Sequence, residues 1–401
     1  MNGDRAGGGR LGDTAAPWVE TVAALWPDAE VTSAGGAGGD AHELSFLPNA
    51  QAPRLLIPST LPAVAATALR RYSHDLTVRQ RVSRSLVATA ARTGLPGRAL
   101  RDRLQVHGGT GSVQDRLSDL LGRRVVVTIG LGTARANRKP ILHAITPEGR
   151  PLAFVKVGDT GVTRELLAGE AAALSFLDGR PLHGITIPRV LWHGGWNGLT
   201  LLVLSPLPTS ARGWRPRRGA PLKAMDELFG VSGTKRATLA GSDFWAGLRA
   251  TPDELMGERS LRLAAVIDRI AAAYGDQMLD FGAWHGDWTP WNMAWHRGEF
   301  QLWDWERFEP AVPRGFDLLH YRLQEATRRP GPSPYERRPD GAADLTGPLG
   351  VTGAAAAATA DLYYLALCCR YQRAAGGPLG DAVLGQADRL LELLEDTGGK
   401  P

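Results

Sequence analysis

The chain has 401 residues, of which 43% are hydrophobic and 22% charged, and its formal net charge is +5. Such a composition is typical of a globular protein of one or two domains, and no apolar run reaches the roughly 18 residues of a membrane span. Cys368 and Cys369 are the only cysteines, and two adjacent cysteines neither staple a fold nor complete a zinc site. With no secretory signal at the N-terminus, these features predict a cytoplasmic protein.

The excess of positive charge is partly local. Segment 212–223 contains four arginines and one lysine. A basic cluster of this kind is more often a solvated loop than a binding site, and no nucleic-acid-binding motif accompanies it. We therefore expect no nucleic-acid partner, and whether the segment contacts a substrate stays open.

The first 111 residues divide into two parts. Residues 1–40 are rich in glycine and are expected to be loosely ordered. Residues 41–111 form an N-terminal α/β extension with two strand-like runs, at 43–47 and 54–58, and a helical pattern over 62–93. No residue of this extension belongs to a recognisable chemical motif.

From residue 112 the pattern predicts a small antiparallel sheet with one packed helix. The expected helices are 113–121 and 163–177, and the expected strands are 124–129, 141–145, 152–157, 187–191 and 200–204. After residue 204 the composition becomes helical, with an amphipathic segment over 261–279 and two closing helices over 354–371 and 381–394. The sequence therefore predicts a sheet-rich part, 112–204, followed by a helical part, 205–401.

The segment that carries chemistry lies in the helical part. It consists of His285-Gly286-Asp287, four further residues and then Asn292. Pro290 favours a loop here, and a loop can present a carboxylate and an amide to one point. In phosphoryl transfer such an Asp orients or deprotonates the acceptor hydroxyl, while such an Asn binds Mg²⁺ through its amide oxygen. His285 is expected to hold the loop rather than to act as a base.

A second carboxylate follows the first segment. Asp304 ends the apolar run 300–303. A carboxylate at a strand end beside Asp287 and Asn292 is costly unless a cation neutralises it, and Mg²⁺ on nucleotide phosphates would do so. The alternative is that Asp304 only caps a turn. Asp317, at the start of the next helix, is expected to support the catalytic loop or to cap that helix.

A kinase also needs a lysine that reaches the α- and β-phosphates and is held by a helix glutamate. Lys156 lies in the strand 152–157, although a lysine there could simply face solvent. The following helix offers Glu165 and Glu170, which lie on different faces. We prefer Glu170, because it precedes the more apolar end of the helix.

The turn before the Lys156 strand has the composition of a phosphate-covering loop. Gly130 and Gly132 allow close approach of the backbone to a ligand, and several basic side chains follow them up to residue 139. A Gly-x-Gly alone is weak evidence for a phosphate-binding loop. Here its position before the strand that contains Lys156 strengthens that interpretation.

In this order, the motifs resemble those of the aminoglycoside phosphotransferase-like, choline-kinase-related branch of the protein-kinase-like fold. The resemblance extends from about residue 112 to the C-terminus. The residues that carry it are Lys156 with Glu170, His285-Gly286-Asp287 with Asn292, Trp303-Asp304-Trp305-Glu306, and Phe316-Asp317-Leu318. Asp304 is followed by Trp-Glu rather than Phe-Gly, and the first 111 residues have no counterpart in the resemblance.

The resemblance implies an α+β, two-lobed fold with an antiparallel sheet in the N-lobe, a helical C-lobe and an additional N-terminal α/β extension. ATP would bind between the lobes, with the backbone near Val203 and Ser205 contacting the adenine. Its phosphates would be held by Lys156, Glu170, Gly130 and Gly132. Asp287 would be the catalytic base, and Asn292 and Asp304 would bind Mg²⁺.

The activity implied is transfer of the γ-phosphate of ATP to a hydroxyl of a small molecule or metabolite. Aminoglycosides are polycations, whereas segment 212–223 is basic, which favours a neutral or anionic acceptor. Two alternatives stay open: a kinase for Ser/Thr hydroxyls of a biosynthetic precursor peptide, docked on the N-terminal extension, and a pseudokinase that binds nucleotide without turnover. The sequence does not identify the acceptor, the preference for ATP over GTP, or the oligomeric state.

Overall fold

The computed structural model describes residues 15–33, 42–70, 102–131, 140–208, 219–328, 341–375 and 380–396. The chain divides into two compact units, Met1–Leu167 with Pro188–Pro206 and Ala168–Ile187 with Leu207–Pro401. None of the helices in the described ranges combines the length and apolarity that crossing a membrane requires.

The first half of the chain is rich in strands. Its elements are α1 (Ala16–Leu25), β1 (Ala29–Ser33), β2 (His42–Leu47), β3 (Leu55–Pro58), α2 (Pro62–Arg70), β4 (Arg103–Gly108), α3 (Val113–Leu121), β5 (Val126–Leu131), β6 (Pro140–Ile145), β7 (Pro151–Gly158), α4 (Gly161–Leu177), β8 (Ile185–Thr186), β9 (Val190–Trp196) and β10 (Leu199–Leu204).

The second half is rich in helices. Its elements are α5 (Leu222–Gly230), β11 (Lys235–Thr238), α6 (Asp243–Arg249), a 3-10 helix (Thr251–Glu254), α7 (Glu258–Tyr274), β12 (Met278–Trp284), β13 (Met293–His296), β14 (Glu299–Leu302), β15 (Glu309–Pro313), α8 (Phe316–Ala326), a second 3-10 helix (Ala342–Leu349), α9 (Gly353–Ala375) and α10 (Gly380–Glu395).

In the first unit, the described strands form one nine-stranded sheet in the order β1-β4-β2-β3-β5-β6-β7-β10-β9. All of its pairings are antiparallel. Alternate side chains of a strand point to opposite faces, so Val155 of β7 lies on one face and Lys156 on the other. Val155 packs in a core with Trp18 of α1 and Leu117 of α3. These two helices therefore cover the face of the sheet opposite Lys156.

In the second unit, the core is helical. Buried side chains of α7, α9 and α10 pack together, among them Ile267, Leu362 and Leu391. The strands described there form two small sheets, β11-β12-β15 and β13-β14-β8. These sheets matter for function because β12 and the β13–β14 hairpin carry the predicted catalytic residues at their ends.

The predicted α+β class is confirmed, with an antiparallel sheet in the N-terminal part and a helical C-terminal part. Helix α3 begins and ends as predicted. Ser112 caps it through a capping box with Asp115, and Gly122 ends it in the left-handed conformation, with φ of +62°.

The N-terminus differs from the prediction. Residues 1–40 are not loosely ordered throughout, because α1 and β1 lie within them. Trp18, Val22 and Leu25 recur at helical spacing and are fully buried, but glycine-rich flanks obscured this pattern. The boundary at 111/112 is not a division between compact units, since β1 to β4 join the sheet of the predicted N-lobe.

Three other elements differ in extent. The helix predicted over 62–93 is seen as α2, Pro62–Arg70, and residues 71–101 lie outside the described ranges. The strand predicted at 187–191 is replaced by β8 and β9. The helix predicted over 261–279 ends at Tyr274, and Met278 begins β12, since the apolar pattern continues from helix into strand.

Candidate active site

The predicted catalytic loop, residues 285–292, begins directly after β12. Gly286 has φ of +78°, and a Cβ added to it would lie 1.9 Å from the carbonyl oxygen of Arg307. Only glycine fits this position, because a side chain would be strained and would overlap the backbone of Arg307. In the loop, only Asp287 and Trp291 are not buried. The loop is thus a packed segment that presents one carboxylate to solvent.

Two helices hold the backbone of the loop. Asp317, in the first turn of α8, accepts hydrogen bonds from the backbone N–H groups of His285 at 2.9 Å and Gly286 at 3.3 Å. Arg370 of α9 donates to the carbonyl oxygen of Gly286 at 2.9 Å. Burial raises the pKa of Asp317 to about 7, although the two N–H groups favour its charged form. Asp317 therefore positions the loop, in agreement with the support expected of it.

His285 ties the loop to the end of β14. Its Nδ1 accepts the backbone N–H of Asp287 at 3.2 Å, and its Nε2 lies 3.1 Å from the carbonyl oxygen of Trp303. Burial lowers the pKa of His285 to about 4. The negative charges of Asp287 and Asp304 raise this pKa, but their effect is smaller than that of burial. The ring is therefore neutral near pH 7, with the proton on Nε2 and donated to Trp303.

Asp287 and Asn292 contact each other within the loop. Nδ2 of Asn292 lies 3.0 Å from the carbonyl oxygen of Asp287 and 2.8 Å from its Oδ2. Both of these atoms are acceptors, so the nitrogen and not the oxygen of the amide must face them. With both amide hydrogens used, Oδ1 is the atom of Asn292 that is left to bind a cation.

The β13–β14 hairpin places Asp304 next to this loop. Asn292 precedes β13 and Trp303 follows β14, and the N–H of Trp303 donates to the carbonyl oxygen of Asn292 at 3.2 Å. Asp304 is the next residue, with φ of +67°, a conformation that is uncommon for a residue other than glycine. Asp304 therefore directly follows the residue that is hydrogen-bonded to Asn292 at the open end of the hairpin.

The lysine and the glutamate predicted for the phosphates lie in different units, and their pairing stays a prediction. Lys156 of the first unit is 7% exposed and is flanked in the sheet by Ile141 and Leu202. Glu170 of the second unit is fully buried, and its Oε1 accepts the backbone N–H of Trp305 at 3.4 Å. Glu170 thus contacts the residue that follows Asp304.

The remaining predicted nucleotide contacts lie in or near the first sheet. Gly130 pairs with Ile141, whereas Gly132 and the rest of its turn, up to residue 139, lie outside the described ranges. Val203 lies in β10 between two paired strands, and the N–H of Ser205 donates to the carbonyl oxygen of Arg189 at 2.9 Å. These backbone groups already take part in the sheet or its edge, and their contact with adenine stays a prediction.

The oxygen donors of the loop and hairpin fit a magnesium ion held jointly with phosphates. In the described ranges no three His, Cys, Asp or Glu side chains converge as metal ligands. Mg²⁺ on a nucleotide needs no such cluster, because it is bound by one or two carboxylates together with phosphate oxygens and water. The amide oxygen of Asn292 and the carboxylate of Asp304 are oxygen donors of the right kind.

Two further residues of the site were not predicted from the sequence. Nε2 of His320, in α8, lies 3.0 Å from Oδ1 of Asp287, and Nδ1 of the same ring lies 3.0 Å from the hydroxyl of Tyr363, in α9. The available signal was the spacing of His320 from Asp317, three residues along one helix face. No pattern in the sequence connects Tyr363 to the loop.

Comparison with known proteins gives matches in structure alone. No protein-family model matches the chain. No curated protein matches it in sequence.

Among solved structures, the chain is similar to a thermostable mutant of aminoglycoside phosphotransferase APH(4)-Ia in ternary complex with AMP-PNP and hygromycin B. The identity is 14%, the match covers 73% of this chain and 100% of that one, and the TM-score is 0.48. Choline kinase LicA from Streptococcus pneumoniae is 13% identical, the match covers 71% of this chain and 98% of that one, and the TM-score is 0.45. Amicoumacin kinase hAmiN in complex with AMP-PNP, Ca²⁺ and Ami is 12% identical, the match covers 68% of this chain and 88% of that one, and the TM-score is 0.40. The chain thus has distant structural similarity to solved structures of small-molecule kinases.

Proposed function

We propose that the protein is an ATP- and Mg²⁺-dependent phosphotransferase that moves the γ-phosphate of ATP to a hydroxyl of a small molecule. The observation that carries this proposal is that the carboxylate of Asp287 is both exposed to solvent and held by hydrogen bonds. Its side chain is 38% exposed on an otherwise packed loop, and His320 and Asn292 each hold one of its oxygens. A carboxylate that is both fixed and accessible can orient a hydroxyl for attack.

The proposed reaction balances with the groups of this site. The acceptor oxygen forms a bond to the γ-phosphorus as the bond from that phosphorus to the β–γ bridging oxygen breaks, which leaves ADP. The hydroxyl proton passes to Asp287. Asn292 and Asp304 would hold Mg²⁺, which supplies positive charge to the phosphate oxygens. The resemblance in motifs supports Lys156, with Glu170, as the contact to the α- and β-phosphates.

The N-terminal residues favour a small acceptor over a docked peptide. Phe46 and Leu104 of the extension belong, with Trp18 of α1, to the same buried core as Val155 and Val203. The N-terminal extension therefore builds part of the fold of the first unit, which argues against a separate docking module. For the same reason, deletion of residues 1–110 would expose that core, and it would not test docking.

The basic segment supports a neutral or anionic acceptor rather than a polycation. Residues 212–218 lie outside the described ranges, and Lys223 is exposed in the first turn of α5. By charge alone, the four arginines of this segment disfavour a polycationic acceptor relative to a neutral or acidic one.

The test is phosphate transfer from [γ-³²P]ATP with Mg²⁺ to a panel of neutral, acidic and polycationic hydroxyl compounds and to Ser/Thr peptides. Asp287→Asn should lower the rate by about 10²- to 10⁴-fold, the range for loss of a general base, with unchanged thermal stability. Asp280→Asn is a matched control, because Asp280 lies in β12 just before the loop and its side chain is also 38% exposed.

Each result has a distinct meaning. Transfer to small molecules that depends on Asp287 and not on Asp280 supports the proposal. Transfer to peptides alone favours the peptide kinase. Stabilisation by ATP and Mg²⁺ without transfer to any acceptor or to water indicates a pseudokinase. An Asp287→Asn variant with wild-type activity contradicts the assignment of the base.

A further inference from the structure

We infer that His320 and Tyr363 form a positioning pair for Asp287, which fixes the plane of the proposed catalytic carboxylate. The inference rests on the proposed function and adds two residues to that site. Asp317 and His320 lie on one face of α8, so the same helix holds the backbone of the loop through one residue and its carboxylate through the other.

The hydrogen bonds assign the proton on each ring nitrogen of His320. An ionised carboxylate only accepts hydrogen bonds, so Nε2 of His320 must carry the proton that it shares with Oδ1 of Asp287. In a neutral ring, Nδ1 is then an acceptor, and the hydroxyl of Tyr363 donates to it. Tyr363 therefore selects the tautomer of His320 that can donate to Asp287.

Burial makes this arrangement rigid. His320 is 3% exposed and Tyr363 is 1% exposed, whereas the side chain of Asp287 is 38% exposed. Water cannot readily replace the buried partners, because they are enclosed between α8 and α9. The accessible carboxylate is thus anchored by a buried chain of two side chains.

The two oxygens of Asp287 have different partners. Oδ1 is held by His320 and Oδ2 by Nδ2 of Asn292 at 2.8 Å. Two donors on two oxygens fix rotation of the carboxylate about its last side-chain bond, and each oxygen keeps a further lone pair for the acceptor hydroxyl. Loss of either donor would free that rotation.

Orientation is the property that matters most for a base in phosphoryl transfer. The transition state is loose, and the protein contributes mainly by positioning the nucleophile. His320 contacts the carboxylate and not the acceptor hydroxyl in this proposal, so a gain from His320 must come from geometry. We therefore expect His320 to affect turnover and not the binding of ATP.

The experiment compares two substitutions of His320 by residues with amide side chains, glutamine and asparagine. In His320→Gln the side-chain nitrogen reaches the place of Nε2 and can still donate to Asp287. In His320→Asn the nitrogen reaches only the place of Nδ1, so the donor is lost. We expect kcat to fall by about 10²-fold in His320→Asn, the effect of a misplaced reacting group, with KM for ATP unchanged, and to recover most of this loss in His320→Gln. Tyr363→Phe should lower kcat less than His320→Asn, because Nε2 can still donate.

Transfer is measured with the best acceptor of the panel or, where none is found, with water as acceptor. Equal turnover of wild type and His320→Asn overturns the inference, as does an equal loss in the Asn and Gln variants, since that indicates packing alone. Failure of the proposed function is separate, because it appears as an Asp287→Asn variant with full activity.

A second measurement does not depend on turnover. Nuclear magnetic resonance of the protein labelled with ¹⁵N-histidine should show His320 protonated on Nε2, with a shift of that resonance in Asp287→Ala. A ring protonated on Nδ1 alone, or an Nε2 resonance that is unchanged by Asp287→Ala, overturns the inference even where a variant folds poorly.

Discussion

The sheet of the first unit and the catalytic loop of the second are built by different forces. In the sheet, backbone ladders join nine described strands, and apolar side chains such as Val155 and Leu117 fill one face. In the loop, buried and partly buried polar groups make the contacts: Asp317 and Arg370 bind the backbone, and His285 links it to Trp303. The sheet is stabilised by apolar burial, whereas the loop depends on a few hydrogen bonds with fixed partners.

This difference predicts different responses to mutation. Loss of a buried polar partner leaves another group unsatisfied and displaces the loop, so activity should change together with stability. A change at the end of a helix that covers the sheet should alter stability and leave the rate per folded molecule unchanged.

Gly286→Ala should have the largest effect. The added Cβ would lie 1.9 Å from the carbonyl oxygen of Arg307, at a residue with φ of +78°. The backbone of the loop or of Arg307 must therefore move, and we expect a loss of about 3 kcal/mol or more in the free energy of unfolding, with transfer abolished. Urea denaturation and the transfer assay measure the two effects.

Gly298→Ala is the matched control for this change. Gly298 has φ of +96°, and nothing lies within 4 Å of an added Cβ. This variant has the same kind of strain without the overlap, so it should lose only about 1–2 kcal/mol and retain activity. Equal losses in the two variants would show that the contact with Arg307 has no influence, and the loop would then be less tightly packed than we infer.

Asp317→Asn should have an intermediate effect on the rate and a distinct effect on the pH dependence of stability. The single amide oxygen cannot replace both contacts of the carboxylate, at 2.9 Å to the N–H of His285 and 3.3 Å to that of Gly286. Displacement of the loop should lower transfer by about 10²-fold, the effect of a misplaced reacting group.

The pH dependence follows from the pKa of Asp317, which burial raises from 3.8 to about 7. Because the folded chain binds this proton more tightly than the unfolded chain, the contribution of Asp317 to stability is complete below about pH 4 and is lost as the pH rises to about 7. The free energy of unfolding of wild type minus that of Asp317→Asn should therefore decrease over this interval. A difference that is constant or that increases with pH would contradict the raised pKa.

The parts of the structure that could be predicted from the sequence are those with local causes. Helix α3 was predicted at its observed bounds because its apolar pattern over 113–121 is local, and in the structure Ser112 and Gly122 cap its two ends. The end of α7 was missed because Met278 and Leu279, which begin β12, continue the apolar pattern of the helix. The place of β1 to β4 in the sheet depends on pairing between distant segments, which a pattern along the chain does not contain.

The same division holds for the candidate site. Asp287, Asn292 and Asp304 lie in two short segments that a hairpin joins, so their spacing carried the information. His320 and Tyr363 were missed because their contacts with Asp287 and with each other form only when α8 and α9 pack. Asp317 was expected to support the loop or to cap its helix, from its place at the start of that helix, but its two hydrogen bonds to the loop follow from the fold and not from its spacing.

Ser112→Ala should have the smallest effect and provides the contrast with the loop. The hydroxyl of Ser112 accepts the N–H of Asp115 at 3.3 Å and donates to the carboxylate of Asp115 at 2.7 Å. Loss of this cap should cost about 1 kcal/mol in the free energy of unfolding. Because α3 covers the face of the sheet opposite Lys156, transfer per folded molecule should not change. A fall in kcat without a loss of stability would mean that α3 influences the site directly, and the distinction between a structural sheet and a functional loop would then be wrong.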